Sequence, residues 1–265
     1  MIMDYAKEAQ HIVDWIKEYF VNNGNKDTKA VIGISGGKDS TICAAACIKA
    51  LGVDRVVGVL MPSVENNVLI DDPTFKEGKD VIKALGIEEY YQMNIYHSCQ
   101  NIYDKIKVNS LELKPQTKIN TPARIRMATL YAIASEVGGR VCNTCNYSEN
   151  YVGYSTKYGD HAGDFSPLQD YTVKEVLEIG KHLGVPDELL YRVPSDGLCG
   201  TSDEANLGFT YETLDNYLMN DIIPEYEILR KIEEKHKMNK HKLCSMPFCH
   251  RSRENDCMFS RRMRK

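Results

Sequence analysis

The sequence predicts an α/β fold built on a doubly wound parallel sheet. Three observations carry that expectation. Short apolar runs lack the alternation of half-exposed strands, amphipathic stretches separate them, and glycine or proline punctuates nearly every junction. From Asp4 to Val21, the residues Tyr5, Ala9, Ile12, Val13, Ile16 and Phe20 form one stripe, which predicts an amphipathic helix. Lys29 to Ile34 reads as a buried strand running into Ser35-Gly36-Gly37, and Asp39 to Leu51 as an alanine-rich helix closed by Gly52. Arg55 to Met61 is a second strand, stopped by Pro62. Asp71-Asp72-Pro73 supplies a cap and a first-turn proline for a helix running to Gly86. Tyr90 to Ile95 is the third strand. Thr121 to Val137 predicts a helix with Pro122 in its first turn and Gly138-Gly139 behind it, followed by a fourth strand from Arg140 to Thr144. Thr172-x-x-Glu175 is a capping box for a helix that ends near Gly184 and Pro186. Thr210 to Leu218 and Pro224 to Lys240 also read as helical. Tyr147 to Leu168 has no period yet is dense in Gly, Asp and Tyr, and long irregular segments of compact domains are usually functional or mobile.

Composition narrows the class. The chain has 265 residues, of which 43% are hydrophobic and 26% charged, and this excludes a disordered chain, a collagen or a coiled coil. A chain of this size removes roughly 70–75% of its unfolded surface from water, enough for a core without staples. No internal repeat or linker divides it, so one domain over residues 1–265 is expected, with a basic C-terminal tail from about residue 230. No apolar run approaches the roughly 20 residues of a membrane helix, and the N-terminus lacks a signal pattern. No membrane association and a cytoplasmic location are therefore expected. The net charge of −4 argues against a nucleic-acid partner. From Arg230 to Lys265, however, 12 Lys and Arg face 4 Asp and Glu, a tail that can meet phosphates, an acidic surface or only solvent. Nine cysteines without a signal peptide read as free thiols. Cys142-x-x-Cys145 stands alone. Cys244, Cys249, His250 and Cys257 have irregular spacing for zinc, and ordinary thiols are the simpler reading.

The sharpest feature is Gly33-Ile34-Ser35-Gly36-Gly37-Lys38-Asp39-Ser40 between the first strand and its helix. Glycines let backbone N–H groups approach phosphate oxygens, and a helix N-terminus adds partial positive charge. Hydroxyls and an ammonium can complete such a cradle. Asp39 suits it only with a cation between carboxylate and phosphate, which points to Mg²⁺. The spacing is not that of a Walker A loop, because three residues separate Gly33 from Gly37 and Asp39 follows Lys38. A plain strand–helix turn with a serine cap does not call for Ser, Lys, Asp and Ser together.

Ser-Gly-Gly-x-Asp-Ser after a first strand resembles the signature of the N-type ATP pyrophosphatases, with Lys38 at the open position. Ala123-Arg124-Ile125-Arg126-Met127 resembles the A-R-x-R-M helix of bacterial NAD synthetases, and Tyr151 to Asp164 is similar to their G-x-x-T-K-Y-G-D-x-x-x-D loop. Pro194-Ser195, then Thr201-Ser202-Asp203-Glu204 and Leu207-Gly208, and finally His241-Lys242 follow in the family's order. The chain is thereby identified as a member of the ammonia-dependent NAD synthetases. The resemblance implies a Rossmann-like sheet of the adenine nucleotide alpha hydrolase type. It also implies amidation of deamido-NAD by ammonia and ATP through an adenylylated intermediate, and a homodimer. Gly33, Ile34, Ser35, Gly36, Gly37, Lys38, Asp39, Ser40, Thr144, Lys174 and Ser195 are implied to bind ATP. Asp39 and Glu149 are implied to hold Mg²⁺, and Arg124, Lys157, Asp164, His241 and Lys242 to contact deamido-NAD. Asp160 is implied to steer or deprotonate ammonia, with Asp39 and Lys38 beside it in catalysis.

Blander roles stand next to these. Arg124 and Arg126 are two apart on a helix and face different ways, so one is a surface or salt-bridging residue. Lys157 can be an ordinary loop lysine, Asp164 a cap, and His236-Lys237 a competing register for His241-Lys242. Two departures stand out. The ATP-contacting lysine of the family falls on Val173, with Lys174 beside it. The family's frequent G-T-[DG] turn reads Asn143-Thr144-Cys145 here. With the phosphate loop about 30 residues into the chain, ammonia rather than glutamine is the expected nitrogen donor. A tRNA-modifying adenylase or thiolase, and a universal-stress-type nucleotide sensor without turnover, are the competing readings.

Overall fold

The computed structural model describes residues 3–65, 72–192, 203–244 and 246–249. Helix α1 (Tyr5–Asn23) opens the fold, capped by Asp4, whose carboxylate accepts the Lys7 N–H. It buries Ala9, Ile12, Val13, Ile16 and Phe20, the stripe its spacing predicts, while Tyr5 stays partly exposed. Strand β1 (Lys29–Gly33) leads through the glycine loop into α2 (Lys38–Leu51). Strand β2 (Val56–Leu60), helix α3 (Pro73–Ala84), strand β3 (Tyr90–Gln92) and helix α4 (Tyr96–Val108) follow. Helix α5 (Pro115–Val137) and strand β4 (Gly139–Val141) complete the sheet. The C-terminal part is helical: α6 (Tyr147–Val152), α7 (Val173–His182), α8 (Asp187–Leu190), α9 (Asp203–Leu207), α10 (Tyr211–Asn220) and α11 (Tyr226–Leu243).

The four strands are parallel in the order β3-β2-β1-β4. Successive side chains of β1 point to opposite faces. Ala30 and Ile32 join α1, α2, α7 and α8 in one core, whereas Val31 joins Val57, Val59 and Val141 under Met127, Leu130 and Ala134 of α5. Both faces of the sheet are covered, which is why its strands read as unbroken apolar runs.

Three expectations need correction. Pro122 is not in the first turn of its helix. Helix α5 starts at Pro115, and Pro122 lies inside it. A proline there cannot donate to the carbonyl four residues back, and that carbonyl, Lys118 O, instead accepts the Tyr103 hydroxyl of α4 at 3.2 Å. The third strand ends at Gln92, short of Ile95. Beyond it, single backbone bonds from Met93 N to Leu60 O and Ile95 N to Pro62 O continue the pairing, since Pro62 has no N–H to return. The fourth strand covers Gly139–Val141, and just beyond it Cys142 makes an isolated parallel bridge to Phe165. Residues 226–243 of the basic stretch form α11, which buries Ile232 against Val152 of α6 and Leu214 of α10.

Candidate active site

The order β3-β2-β1-β4 reverses direction between β1 and β4, and ligands of such sheets sit beyond the strand C-termini at that point. A cavity of about 720 Å³ opens there. Its lining includes Gly33, Ile34, Ser35 and Gly37 after β1, Met61 and Pro62 after β2, Thr144 after β4, and Arg126 and Leu130 of α5. Gly153, Thr156, Asp160, Asp203 and three residues of α11, namely Lys235, Asn239 and Lys242, also line it.

The glycine loop is braced by its own serines. The Ser35 and Ser40 hydroxyls lie 3.1 Å apart, the Gly37 N–H donates to Ser35 Oγ, and Ser40 Oγ donates to the Gly37 carbonyl. Gly36 takes φ +88°, and a Cβ there would lie 2.5 Å from Glu77 Cβ. Gly37 caps α2 without a side-chain acceptor, so the first turn of α2 is free of a capping side chain and can meet an anion.

Beside this loop two carboxylates converge on Asn146. Its side-chain amide donates to Asp39 Oδ1 at 3.2 Å, and its backbone N–H donates to Glu149 Oε2 at 3.4 Å. Asn146 and Glu149 form a capping box at the start of α6, so the same local device that begins the helix aims Glu149. Glu149 keeps part of its surface open, yet the protein packed around it pushes its carboxyl up to about 8; the Asp39 charge adds to that rise and the Lys38 charge opposes it. Lys38 Nζ lies 2.8 Å from Asp39 Oδ2, both side chains 17% exposed. Burial works against the Lys38 charge, but Asp39 and Glu149 outweigh it and hold the ammonium above its ordinary value.

The opposite wall hangs on Asn143. Its buried amide donates to the carbonyls of Asp160 (2.7 Å) and Ala162 (3.1 Å) and accepts from Cys145 N (3.0 Å) and Ser166 Oγ (2.9 Å). This fixes the 156–166 loop against the end of β4. Asp160 stands open to the cavity, and Thr156 N donates to its Oδ1 at 2.9 Å. Its carboxyl is raised chiefly because surrounding protein displaces water, partly offset by that N–H. Gly153 takes φ +64° and lets α11 come close, since a Cβ there would lie 2.1 Å from Asn239 Cβ. Lys242 of α11 donates to the carbonyls of Gly153 and Ser155 at 2.7 and 2.8 Å, and burial pulls its ammonium below the ordinary lysine value.

Residues 8–247 match the family described as NAD synthase. The chain belongs to the NAD synthase family. The NH(3)-dependent NAD(+) synthetase of Finegoldia magna is 37% identical to it, over 91% of this chain and 94% of that one. Among solved structures, the NMN synthetase of Francisella tularensis superposes with a TM-score of 0.82 at 30% identity, covering 94% and 99% of the two chains. The NH3-dependent NAD synthetase of Campylobacter jejuni does so with a TM-score of 0.73 at 25% identity, covering 94% and 100%.

For a NAD synthase, the residues expected from sequence fall into three groups. The first is the cavity wall and the cluster beside it: Gly33, Ile34, Ser35, Gly37, Thr144, Asp160 and Lys242 line the cavity, while Lys38, Asp39 and Glu149 meet around Asn146 next to the glycine loop and do not line it. Within the loop, the buried Ser40 hydroxyl is spent on the loop's own geometry. A second group lies outside the cavity lining. Arg124 is exposed and reaches the Lys157 carbonyl, and Lys157 donates to the His241 carbonyl. Exposed His241 turns back to Met238 O, while His236 stacks on Tyr151 and takes no part in the lining. Asp164 accepts the Val141 N–H and the Tyr131 hydroxyl. Lys174 is exposed at the first turn of α7, where its backbone N–H caps onto Asp215. Third, Ser195 lies outside the described residues, as do Pro194, Thr201 and Ser202. Of the two arginines, Arg126 is the one that enters the cavity, donating to Met61 O at 3.1 Å. Asn143 and Asn146 escaped sequence reasoning. Asn-x-x-Glu at 146–149 is a legible cap signal, but nothing local marks Asn143.

Cys142 and Cys145 are buried free thiols, and Cys244 and Cys249 are exposed free thiols. His250 and Cys257 lie outside the described residues, among which no group of three or more His, Cys, Asp or Glu is arranged to hold a metal. No described helix is long and apolar enough to cross a membrane.

Proposed function

We propose that this chain amidates the nicotinate carboxylate of deamido-NAD with ammonia, consuming ATP and releasing AMP and pyrophosphate. One observation carries the reading: residues of the glycine loop and the Asp160–Lys242 wall line a single cavity, so triphosphate and carboxylate substrate can meet within it. The substrate carboxylate attacks the α-phosphorus, the bond to the β-phosphate oxygen breaks, and an acyl adenylate forms. Ammonia then attacks the acyl carbon and AMP departs. In this reading the first turn of α2, which has no capping side chain, receives the pyrophosphate charge as it develops. Asp160, its carboxyl raised above the ordinary carboxylate value by burial, takes the proton that the attacking nitrogen must lose. Lys242 sets positive charge at the substrate end.

Two carboxylates that converge on Asn146 suit a hard divalent cation, which takes one or two protein carboxylates and fills its remaining positions with phosphate and water oxygens. Asp39 and Glu149 would hold Mg²⁺, which supplies charge neutralisation along the triphosphate. Arg124 and Tyr131 are seven residues apart on one stripe of α5, and Tyr131 reaches Asp164 at 3.3 Å. That exposed face is where a second copy would complete the dinucleotide site; a fully active monomer by light scattering refutes the homodimer. Free thiols throughout the described residues fit the reducing cytoplasm as its compartment.

The likeness to a NMN synthetase supports a second reading, the same amidation on the nicotinate mononucleotide. AMP release with ATP, Mg²⁺ and ammonium, run on deamido-NAD and on the mononucleotide in parallel, decides between them. Asp39→Ala should lower turnover by several orders of magnitude. Absence of AMP with either substrate refutes the amidation.

A further inference from the structure

The open position of the loop motif holds a lysine, and its ammonium sits where a metal ion would be useful. Asp39 spends one oxygen on the Asn146 amide and the other on Lys38 Nζ. The charges of Glu149 and Asp203 act on the same ammonium. The Lys38 side chain is mostly covered, so this pair is not a solvated surface contact of negligible strength. The anionic pocket thus already contains one positive charge, supplied by the residue next to Asp39.

We propose that Lys38 is a tethered cation: it occupies Asp39 in the nucleotide-free chain, excludes free divalent cations, and yields only when a nucleotide brings its own. Covalent attachment gives the ammonium a high effective concentration at Asp39. A bare divalent ion must displace it, whereas a metal–triphosphate complex offers phosphate oxygens as new partners for the lysine. Metal entry is therefore coupled to nucleotide entry. This rests on the reading above in one respect, that Asp39 and Glu149 take a divalent cation.

The test is a Mn²⁺ titration of the full-length protein, with free Mn²⁺ read by electron paramagnetic resonance, in the absence and presence of ATP. Lys38→Met should bind Mn²⁺ about tenfold more tightly than wild type without nucleotide. Lys38→Arg, which keeps a tethered charge, should match wild type. Adding Asp39→Asn to Lys38→Met should abolish the gain. A gain below about threefold, or one that survives Asp39→Asn, overturns the proposal. Lys38→Gln serves in place of Lys38→Met if thermal melting shows that variant unfolded. Wild type that fails to bind Mn²⁺ even with ATP overturns the metal reading itself. Wild type that binds it only with ATP leaves that reading standing, and the Lys38 variants then decide this one.

Discussion

Replacing Asn143 with alanine should loosen the 156–166 loop without unfolding the protein. The side chain makes four hydrogen bonds at 2.7 to 3.1 Å, two from its amide nitrogen and two to its carbonyl oxygen. Removing it strands the buried Cys145 N–H and the Ala162 carbonyl, each at about 1–3 kcal/mol. The other two groups have alternatives. The Asp160 carbonyl keeps the Cys145 thiol at 3.4 Å, and the partly exposed Ser166 hydroxyl can turn to water. The total is therefore about 2–6 kcal/mol, below most of the range of about 5–15 kcal/mol usual for the stability of a domain. Urea denaturation should show that loss, and hydrogen exchange should speed up by more than tenfold within residues 156–166. Because Asp160 rides on this loop, the apparent KM for ammonium should rise, with kcat falling about 10–100-fold for a displacement on the order of 1 Å. Asn143→Asp, which retains only the acceptors, should fall between wild type and alanine. A stability loss under about 0.5 kcal/mol with unchanged exchange in the loop would show that Asn143 does not hold it.

Two other expectations follow from the site. Gly36→Ala must accept a left-handed backbone and a contact of 2.5 Å with Glu77 Cβ. It should cost about 1–3 kcal/mol and weaken ATP binding about tenfold, read by thermal melting and calorimetry. An unchanged ATP affinity would separate the loop from the nucleotide. The pH dependence turns on Glu149, raised from 4.5 to about 8 in the metal-free chain. A carboxyl raised on folding binds more protons in the native state, so its contribution is full below about pH 4.5 and is lost as pH climbs through about 8. In EDTA, wild type should lose stability between pH 6 and 8 while Glu149→Gln holds more nearly level. Equal slopes in urea titrations would refute the assignment.

Much of the fold was legible because its determinants are local. The α1 stripe, the capping box at Thr172 and Glu175, and the glycine that ends α2 all act within a few residues of where they are written. The glycine loop is legible for the same reason: its serines hydrogen-bond to groups at most five positions away. Helix α4 was missed, although Cys99 and Tyr103 bury one face of it. The extent of α5 was missed because Pro122 reads as a helix start unless a distant tyrosine satisfies the carbonyl it frees. That rescue depends on α4 packing beside α5, which no propensity encodes.

What the sequence by itself determined is therefore the alternation of strands and helices, the parallel sheet that alternation requires, and the glycine loop between β1 and α2. Tertiary structure decided which charges meet. Asp39 and Asn146 are 107 positions apart and come within 3.2 Å only because β1 and β4 lie side by side at the reversal of strand order. It also decided that Arg126, not Arg124, enters the cavity, since the rotation of α5 about its axis is set by burying Met127, Leu130 and Ala134 on the sheet. Hydrogen bonds along a helix or turn are specified by neighbours in the chain. Electrostatic and packing partners are specified by whichever surfaces close the core, and those come from the whole chain at once.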